Sequence, residues 1–266
     1  MDRKLALVTG ASAGIGAAFA RILAGHGYDV ALTARRADRL ETLATEIRNS
    51  HGVETLTFAA DLASPEAPGQ ILDFLTTQGR SVDMLVNNAG YGLTEAYGDT
   101  AWSDHAAFIQ VMMTAPSELA HRVLGNMRER RFGRIINVAS LAGLLPGSAG
   151  HTLYAATKAY LIKFSQSLHL EMAADGVHVT ALCPGLTYSE FHDVNGTRAQ
   201  FAAATPSWLW QSAEAVAAAG YAAVEANRPM LVTGAPNKAI AAIGKLVPDA
   251  WALALMASQG SRFRKT

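Results

Sequence analysis

Residues Thr9-Gly10-Ala11-Ser12-Ala13-Gly14-Ile15-Gly16 close a short apolar run, Leu5 to Thr9, and lead into Ile15, Phe19, Ile22 and Leu23 at helical spacing. A strand, a glycine-rich turn and a helix in that order can hold an anion. The glycines let the backbone turn sharply and approach a pyrophosphate, and the helix start offers unpaired amides and the positive end of its dipole. By itself the stretch also fits any tight strand-to-helix turn. Its place in the chain narrows the choice, because it follows the first strand and a second strand ends roughly 20 residues on, as a dinucleotide site requires.

Working outward, β-branched and apolar runs recur at Asp29 to Thr33, Thr55 to Phe58, Met84 to Asn87, Arg134 to Val138, His178 to Cys183 and Met230 to Thr233. Longer segments with helical periodicity separate most of them. Strands apolar on both faces with helices between them imply a parallel sheet covered on both sides. The expected fold is therefore α/β, a Rossmann-type, doubly wound, seven-stranded parallel sheet with right-handed crossovers. No repeat, low-complexity tract or Ser/Pro/Gly linker divides residues 1–266, so one domain is expected.

Composition excludes several functions. Half of the 266 residues are hydrophobic and 17% are charged, as in a compact globular chain. Lysine and arginine number 22, as do aspartate and glutamate, and so balanced a chain lacks the basic excess that nucleic acid demands. The single cysteine, Cys183, allows no internal disulfide and suits a reducing, cytoplasmic setting; it reads as a buried, inert thiol. No apolar run reaches the roughly 18 residues of a membrane span, and no signal peptide precedes the strand pattern that begins at Lys4. Eight histidines and one cysteine show no metal-ligand spacing. Asn195-Gly196-Thr197 matches a glycosylation acceptor, which a chain without a secretory signal would not use.

The end of the second strand bears on cofactor choice. An acid there would hold the adenosine ribose hydroxyls of NAD. This chain has Thr33-Ala34-Arg35-Arg36 instead. Two guanidinium groups suit the 2′-phosphate of NADP, and charge-assisted bonds contribute about 1.5–3 kcal/mol each. The bland alternative is a pair of solvated charges opening a helix, a place where basic residues are poorly suited to the dipole.

A second signal is Tyr154-Ala155-Ala156-Thr157-Lys158, with Ser140 upstream at the end of the fifth strand. Tyrosine and lysine four apart share a helix face. Lowering a phenol pKa from about 10 to near 7 takes roughly 4 kcal/mol. A unit charge about 4 Å away at an effective dielectric near 20 supplies about that much. Ser140 would hydrogen-bond a substrate oxygen beside the tyrosine hydroxyl. Tyr-x-x-x-Lys alone fits an ordinary amphipathic helix; the glycine loop and Ser140 beside it argue for chemistry.

Together these residues resemble the short-chain dehydrogenase/reductase family, in its NADP-preferring branch, from Lys4 to about Gly234. The matched pieces are the glycine loop, Asp61-Leu62, Asn87-Asn88-Ala89-Gly90, Ser140, Tyr154 with Lys158, and Pro184-Gly185. The resemblance implies an NADPH/NADP+ oxidoreductase that interconverts a carbonyl and an alcohol on a small-molecule substrate, as a homodimer or homotetramer. In it Gly10, Ser12, Ala13, Gly14, Ile15, Gly16, Arg35 and Arg36 would hold the cofactor phosphates. Asp61 and Leu62 would contact adenine, while Asn88, Ala89 and Gly90 would shape the cleft. Tyr154 would be the general acid/base and Lys158 would hold the nicotinamide ribose. Pro184, Gly185 and Thr187 would border the nicotinamide.

Two features depart from the family. The usual asparagine in the helix before the fifth strand is Met112, which cannot relay a proton, and thirteen residues separate Ser140 from Tyr154, one more than is usual. Met112 is also the feature that would favour a non-catalytic NADP-binding sensor or scaffold. The resemblance places a substrate lid at about 186–215. Phe191, Phe201, Trp208 and Trp210 there suggest a hydrophobic or aromatic substrate, or else aromatics that pack the lid onto the core. His151 and His192 are pocket candidates that read better as ordinary loop histidines. A helical extension at about 237–266, broken at Pro248 and ending in Arg262, Phe263, Arg264 and Lys265, suits a packing or oligomer contact better than a membrane surface.

Overall fold

The structure, a computed structural model, describes residues 3–93, 95–150, 152–189, 205–248 and 250–254. His151, Phe191, His192, the sequon at 195–197, Phe201 and the basic tail from Arg262 lie outside the described residues. The main strands are β1 (Leu5–Thr9), β2 (Asp29–Ala34), β3 (Thr55–Ala59), β4 (Val82–Asn87), β5 (Gly133–Val138), β6 (Val177–Cys183) and β9 (Met230–Val232). They form one seven-stranded sheet in the order β3-β2-β1-β4-β5-β6-β9, with every neighbouring pair parallel. The seven runs read from the sequence thus appear within two residues of their expected limits. A two-residue pair, β7 (Thr187–Tyr188) with β8 (Gln211–Ser212), adds a small second sheet that no periodicity announced.

Every residue of β1, β4 and β5 is buried, as two-sided cover requires. One face packs on α1 (Gly14–Gly25), α2 (Ala37–His51) and α7 (Ala213–Glu225), through Phe19, Leu23, Leu40, Ile47 and Val216. The other packs on α3 (Ala67–Thr77), α4 (Trp102–Ile109), α5 (Ala115–Glu129) and α6 (Thr152–Glu171), through Ile71, Phe108, Leu119 and Leu168. A last helix, α8 (Ala235–Leu246), follows β9. No described helix is long and apolar enough to cross a membrane.

Between α4 and α5 the chain makes a π-turn, Gln110–Thr114, where the Ala115 amide reaches back to the Gln110 carbonyl. Its cause is Pro116. A proline cannot donate to the carbonyl four residues earlier and its ring crowds that carbonyl, so the ladder widens for a turn. Met112 lies in this turn and is 1% exposed, in the core.

The parting of the chain on either side of β1 opens a crevice at the carboxyl ends of β1 and β4, where ligands of such sheets sit. A buried polar chain holds the strands beside it. Asn87 Nδ2 donates to Asn137 Oδ1 at 2.9 Å and to the Pro116 carbonyl at 3.0 Å. Asn137 Nδ2 donates to Ser165 Oγ at 2.9 Å, and Ser165 donates to the Leu161 carbonyl. This chain joins β4, β5, α5 and α6 where no side chain is wet. Asn137→Ala leaves buried donors and acceptors unmatched and should cost about 1–3 kcal/mol. Thermal denaturation should show a fall of several degrees in Tm, and an unchanged Tm would dismiss the network as a support.

Candidate active site

The glycine loop turns as its composition requires. Gly10 and Gly14 have φ of +65° and +54°, in the left-handed region that side chains avoid. Thr9 Oγ1 accepts from the Asn88 and Ala89 amides at 3.0 Å each, and Asn88 Nδ2 donates to the Thr9 and Gly10 carbonyls at 2.9 and 3.2 Å. The loop after β1 is thereby tied to the end of β4. Helix α1 begins after Ala13 with no side-chain cap, so its first amides are open to the crevice.

That crevice is a cavity of about 830 Å³. It brings together Gly10, Ser12, Ala13, Gly14, Ile15, Arg35, Arg36, Asp61, Leu62, Asn88, Ala89, Gly90, Ser140, Tyr154, Lys158, Pro184, Gly185 and Thr187. Gly16 is the exception among the expected residues. It lies behind the loop, where a Cβ would stand 2.3 Å from the Gly10 carbonyl oxygen, so its glycine serves helix-to-loop packing. Met112 does not line the cavity either; its sulfur packs over Gly90.

At one end, Arg36 donates through Nη2 to Ser12 Oγ at 2.9 Å, a bridge from β2 to the glycine loop. Arg35 is exposed and makes no ion pair among the described residues. Asp61 Oδ1 accepts from the Ala63 amide at 3.0 Å, fixing the turn after β3, and Leu62 beside it is buried.

At the other end, Ser140 stands two residues past β5 and caps the 3₁₀ turn Leu141–Leu144 by accepting from the Ala142 amide at 3.1 Å. It also hydrogen-bonds the Tyr154 hydroxyl, which lowers that phenol's pKa against the stronger upward push of burial. Lys158 is 5% exposed and donates from Nζ to the Val138 carbonyl at 2.7 Å. Burial brings its pKa down to about 8. An ammonium about 4 Å from the hydroxyl would lower Tyr154 towards 7. In the protein by itself, burial holds that phenol above its ordinary value, and the Lys158 ammonium, its own charge disfavoured by burial, lies 5.7 Å from the ring centroid. Cys183, buried behind Lys158, is pushed up to about 12 and stays a thiol. Among the described residues no group of His, Cys, Asp or Glu could hold a metal ion.

Sequence reasoning missed the wall around this end. Tyr91 and Leu93 follow β4, Ala107 and Val111 come from α4 and the π-turn, and Leu141 and Leu145 follow β5. Their positions after the carboxyl ends of β4 and β5 were the available signal. Apart from Lys158, the charged residues of the cavity are Arg35, Arg36 and Asp61, all at the far end. Of the aromatics expected at 186–215, Trp210 stacks on Tyr188 at 4.9 Å between centroids, whereas Trp208 is 66% exposed and does not pack onto the core.

The sequence model of the short chain dehydrogenase family matches residues 4–199. This chain is a short-chain dehydrogenase/reductase. It belongs to that family of oxidoreductase enzymes over the whole glycine loop, the Ser140-Tyr154-Lys158 group and the Pro184-Gly185 segment. Nodulation protein G of Rhizobium sp. (strain N33) is 37% identical over 235 residues, covering 86% of this chain and 92% of that one. A short-chain dehydrogenase from Sphingobium yanoikuyae, solved in complex with NADPH, matches with a TM-score of 0.79 at 27% identity, over 99% of this chain and 96% of that one. The bulky-bulky ketone specific alcohol dehydrogenase from Comamonas testosteroni matches at 0.76 and 25%, over 100% and 96%.

Gly143 is a site residue of another kind. A Cβ there would stand 2.6 Å from the Lys158 carbonyl carbon and 2.7 Å from the Ala159 nitrogen, both main chain of α6. Gly143→Ala must separate the 3₁₀ turn from the helix that carries Tyr154 and Lys158. It should cost about 1–3 kcal/mol of stability and reduce turnover about tenfold or more. Gly147→Ala, with nothing within 4 Å of its Cβ, serves as the neutral control. Melting and turnover curves that do not distinguish the two variants would contradict this packing.

Proposed function

We propose that the protein is an NADP(H)-dependent oxidoreductase that interconverts a ketone or aldehyde with the corresponding alcohol, on a hydrophobic or aromatic substrate. The observation that carries the reading is one cavity with Arg35 and Arg36 at one end and Ser140, Tyr154 and Lys158 at the other. The cofactor fits the residues present. Positive-φ glycines let a pyrophosphate approach, the uncapped start of α1 offers amides, and two arginines stand at the end of β2 where an NAD site keeps an acid. NADP(H), when bound, supplies or accepts the hydride.

The protein's own groups handle the proton and the orientation. Ser140 donates a hydrogen bond to the substrate oxygen beside the Tyr154 hydroxyl. In the reductive direction Tyr154 gives its proton to that oxygen as the alcohol forms. In the oxidative direction it takes the proton back. A phenol held above its ordinary value by burial keeps its proton at neutral pH, the state the donor role requires. Lys158, fixed by the Val138 carbonyl, holds the ribose and adds positive charge beside the phenolate once it forms.

The apolar wall from Tyr91, Leu93, Ala107, Val111, Leu141 and Leu145 supports an uncharged, apolar substrate, in keeping with the ketone-specific structural neighbour. Residues 1–266 then act as one Rossmann domain with a lid at about 186–215. A reducing cytoplasm and a homodimer or homotetramer complete the reading, supported by the lone buried Cys183 and the family membership.

Assaying NADPH oxidation against aromatic and aliphatic ketones tests it. Tyr154→Phe should abolish turnover with NADPH affinity nearly unchanged, and more than a few per cent residual activity would remove Tyr154 from the acid/base role. Tight NADPH binding without turnover on any ketone would leave a non-catalytic binder.

Cofactor preference is tested separately. NADPH should bind about tenfold or more tighter than NADH, since one charge-assisted bond is worth about 1.5–3 kcal/mol. Arg35→Ala with Arg36→Ala should remove most of that gap. Fluorescence titration reads it, and equal affinities in the unmodified protein would refute the assignment.

A further inference from the structure

Helix α8 has two unlike sides. Asn237 and Ala241 are buried, and Gly244 packs on Leu145, a residue of the cavity wall. The opposite side exposes Ala239, Ala242, Ile243 and Leu246, spaced i, i+3, i+4 and i+7, with Ile243 59% and Leu246 83% exposed. Lys238 and Lys245, seven residues apart and both exposed, run along one edge of this apolar stripe. Past Pro248 the chain exposes Trp251 and Leu253 as well, while Ala252 between them is buried. Among the described residues, four of the nine exposed large apolar side chains thus fall within eleven consecutive positions.

In the sequence, residues 235–266 carry five basic residues, Lys238, Lys245, Arg262, Arg264 and Lys265, and one acid, Asp249; Lys238 and Lys245 are the two among the described residues. The whole chain is neutral, so this surplus of four is matched by an acidic excess elsewhere. An apolar stripe with lysines at its edge and aromatic anchoring beyond it has the pattern of a helix lying in a lipid interface, apolar side down and ammonium groups at the headgroups. A two-fold contact with a second copy would set this basic segment against itself, a like-charge meeting that costs affinity.

In place of the packing or oligomer contact expected from the sequence, we infer that the exposed face of α8, with Trp251 and Leu253 beyond it, docks the protein on an anionic lipid surface, with α8 lying in the interface and its inner side backing the cavity wall at Leu145. The protein is then peripheral, held by the area it buries and by attraction to acidic headgroups.

The test uses the full-length protein and vesicles of phosphatidylcholine, with and without phosphatidylglycerol, read by cosedimentation, with light scattering for molar mass. The unmodified protein should partition about tenfold or more in favour of the phosphatidylglycerol vesicles and be released by high salt. Leu246→Glu with Trp251→Glu should reduce binding about tenfold or more, and Lys238→Glu with Lys245→Glu should erase the preference for acidic lipid. All four positions are exposed and outside the cavity, so Tm and turnover of a soluble ketone should stay unchanged in both variants. An unmodified protein that ignores both kinds of vesicle overturns the inference. So does a Leu246→Glu/Trp251→Glu protein that binds vesicles as before, or one whose molar mass falls, which would make the face a contact between copies. Because turnover is measured independently, a failed docking result leaves the oxidoreductase reading intact.

Discussion

Thr9 and Asn88 are tied together across the gap between β1 and β4, and the site is built around that tie. The Thr9 hydroxyl accepts two amides from the β4 end and donates to the Val86 carbonyl, while the Asn88 amide nitrogen answers with bonds to Thr9 and Gly10. Sheet topology forces the chain to leave β1 on one side and reach β4 on the other, so the two loops diverge and would otherwise be free to collapse or splay. Short polar side chains bridge them at hydrogen-bond distance and hold the crevice open. Glycine at 16 lets α1 come close enough for the bridge to form. Loosening this tie would loosen the glycine loop and the cleft floor together.

Burial sets the electrostatics at the opposite end. Tyr154 and Lys158 are both pushed towards their neutral forms, one up and one down, because charge is costly in an apolar wall. Ser140 is the group that offsets this for the phenol. It can do so because it follows β5 closely and caps the next turn, which fixes its hydroxyl. The Val138 carbonyl fixes the lysine in the same manner. A polar group in such a site is oriented by main chain, whose position the sheet dictates, rather than by another mobile side chain.

Met112 shows how local chemistry and function separate. The π-turn around it follows from Pro116, whose missing N–H breaks the helical ladder whichever residue stands at 112. The methionine then fills the core and packs its sulfur over Gly90, away from the cavity. A departure from the family's usual residue is here accommodated as packing.

Much of this was legible before any coordinates. The seven strands announced themselves because parallel strands buried on both faces must be continuously apolar, and the glycine loop because left-handed backbone excludes side chains. Ser140, Tyr154 and Lys158 were legible as residue types at telling spacings, and the structure brings them to one cavity. The small β7–β8 pair, the apolar wall from Tyr91 to Leu145, the backing role of Gly16 and Gly143, and the sign of the Tyr154 shift were not. Each depends on which atoms from distant segments meet, and on how much water they exclude. Periodicity and local chemistry are written along the chain, so the sequence by itself determined the fold class, the glycine loop and the residue types of the candidate site. Proximity and burial arise only when the sheet closes, so the tertiary structure alone decided the cavity's two ends, its apolar wall and the pKa values within it.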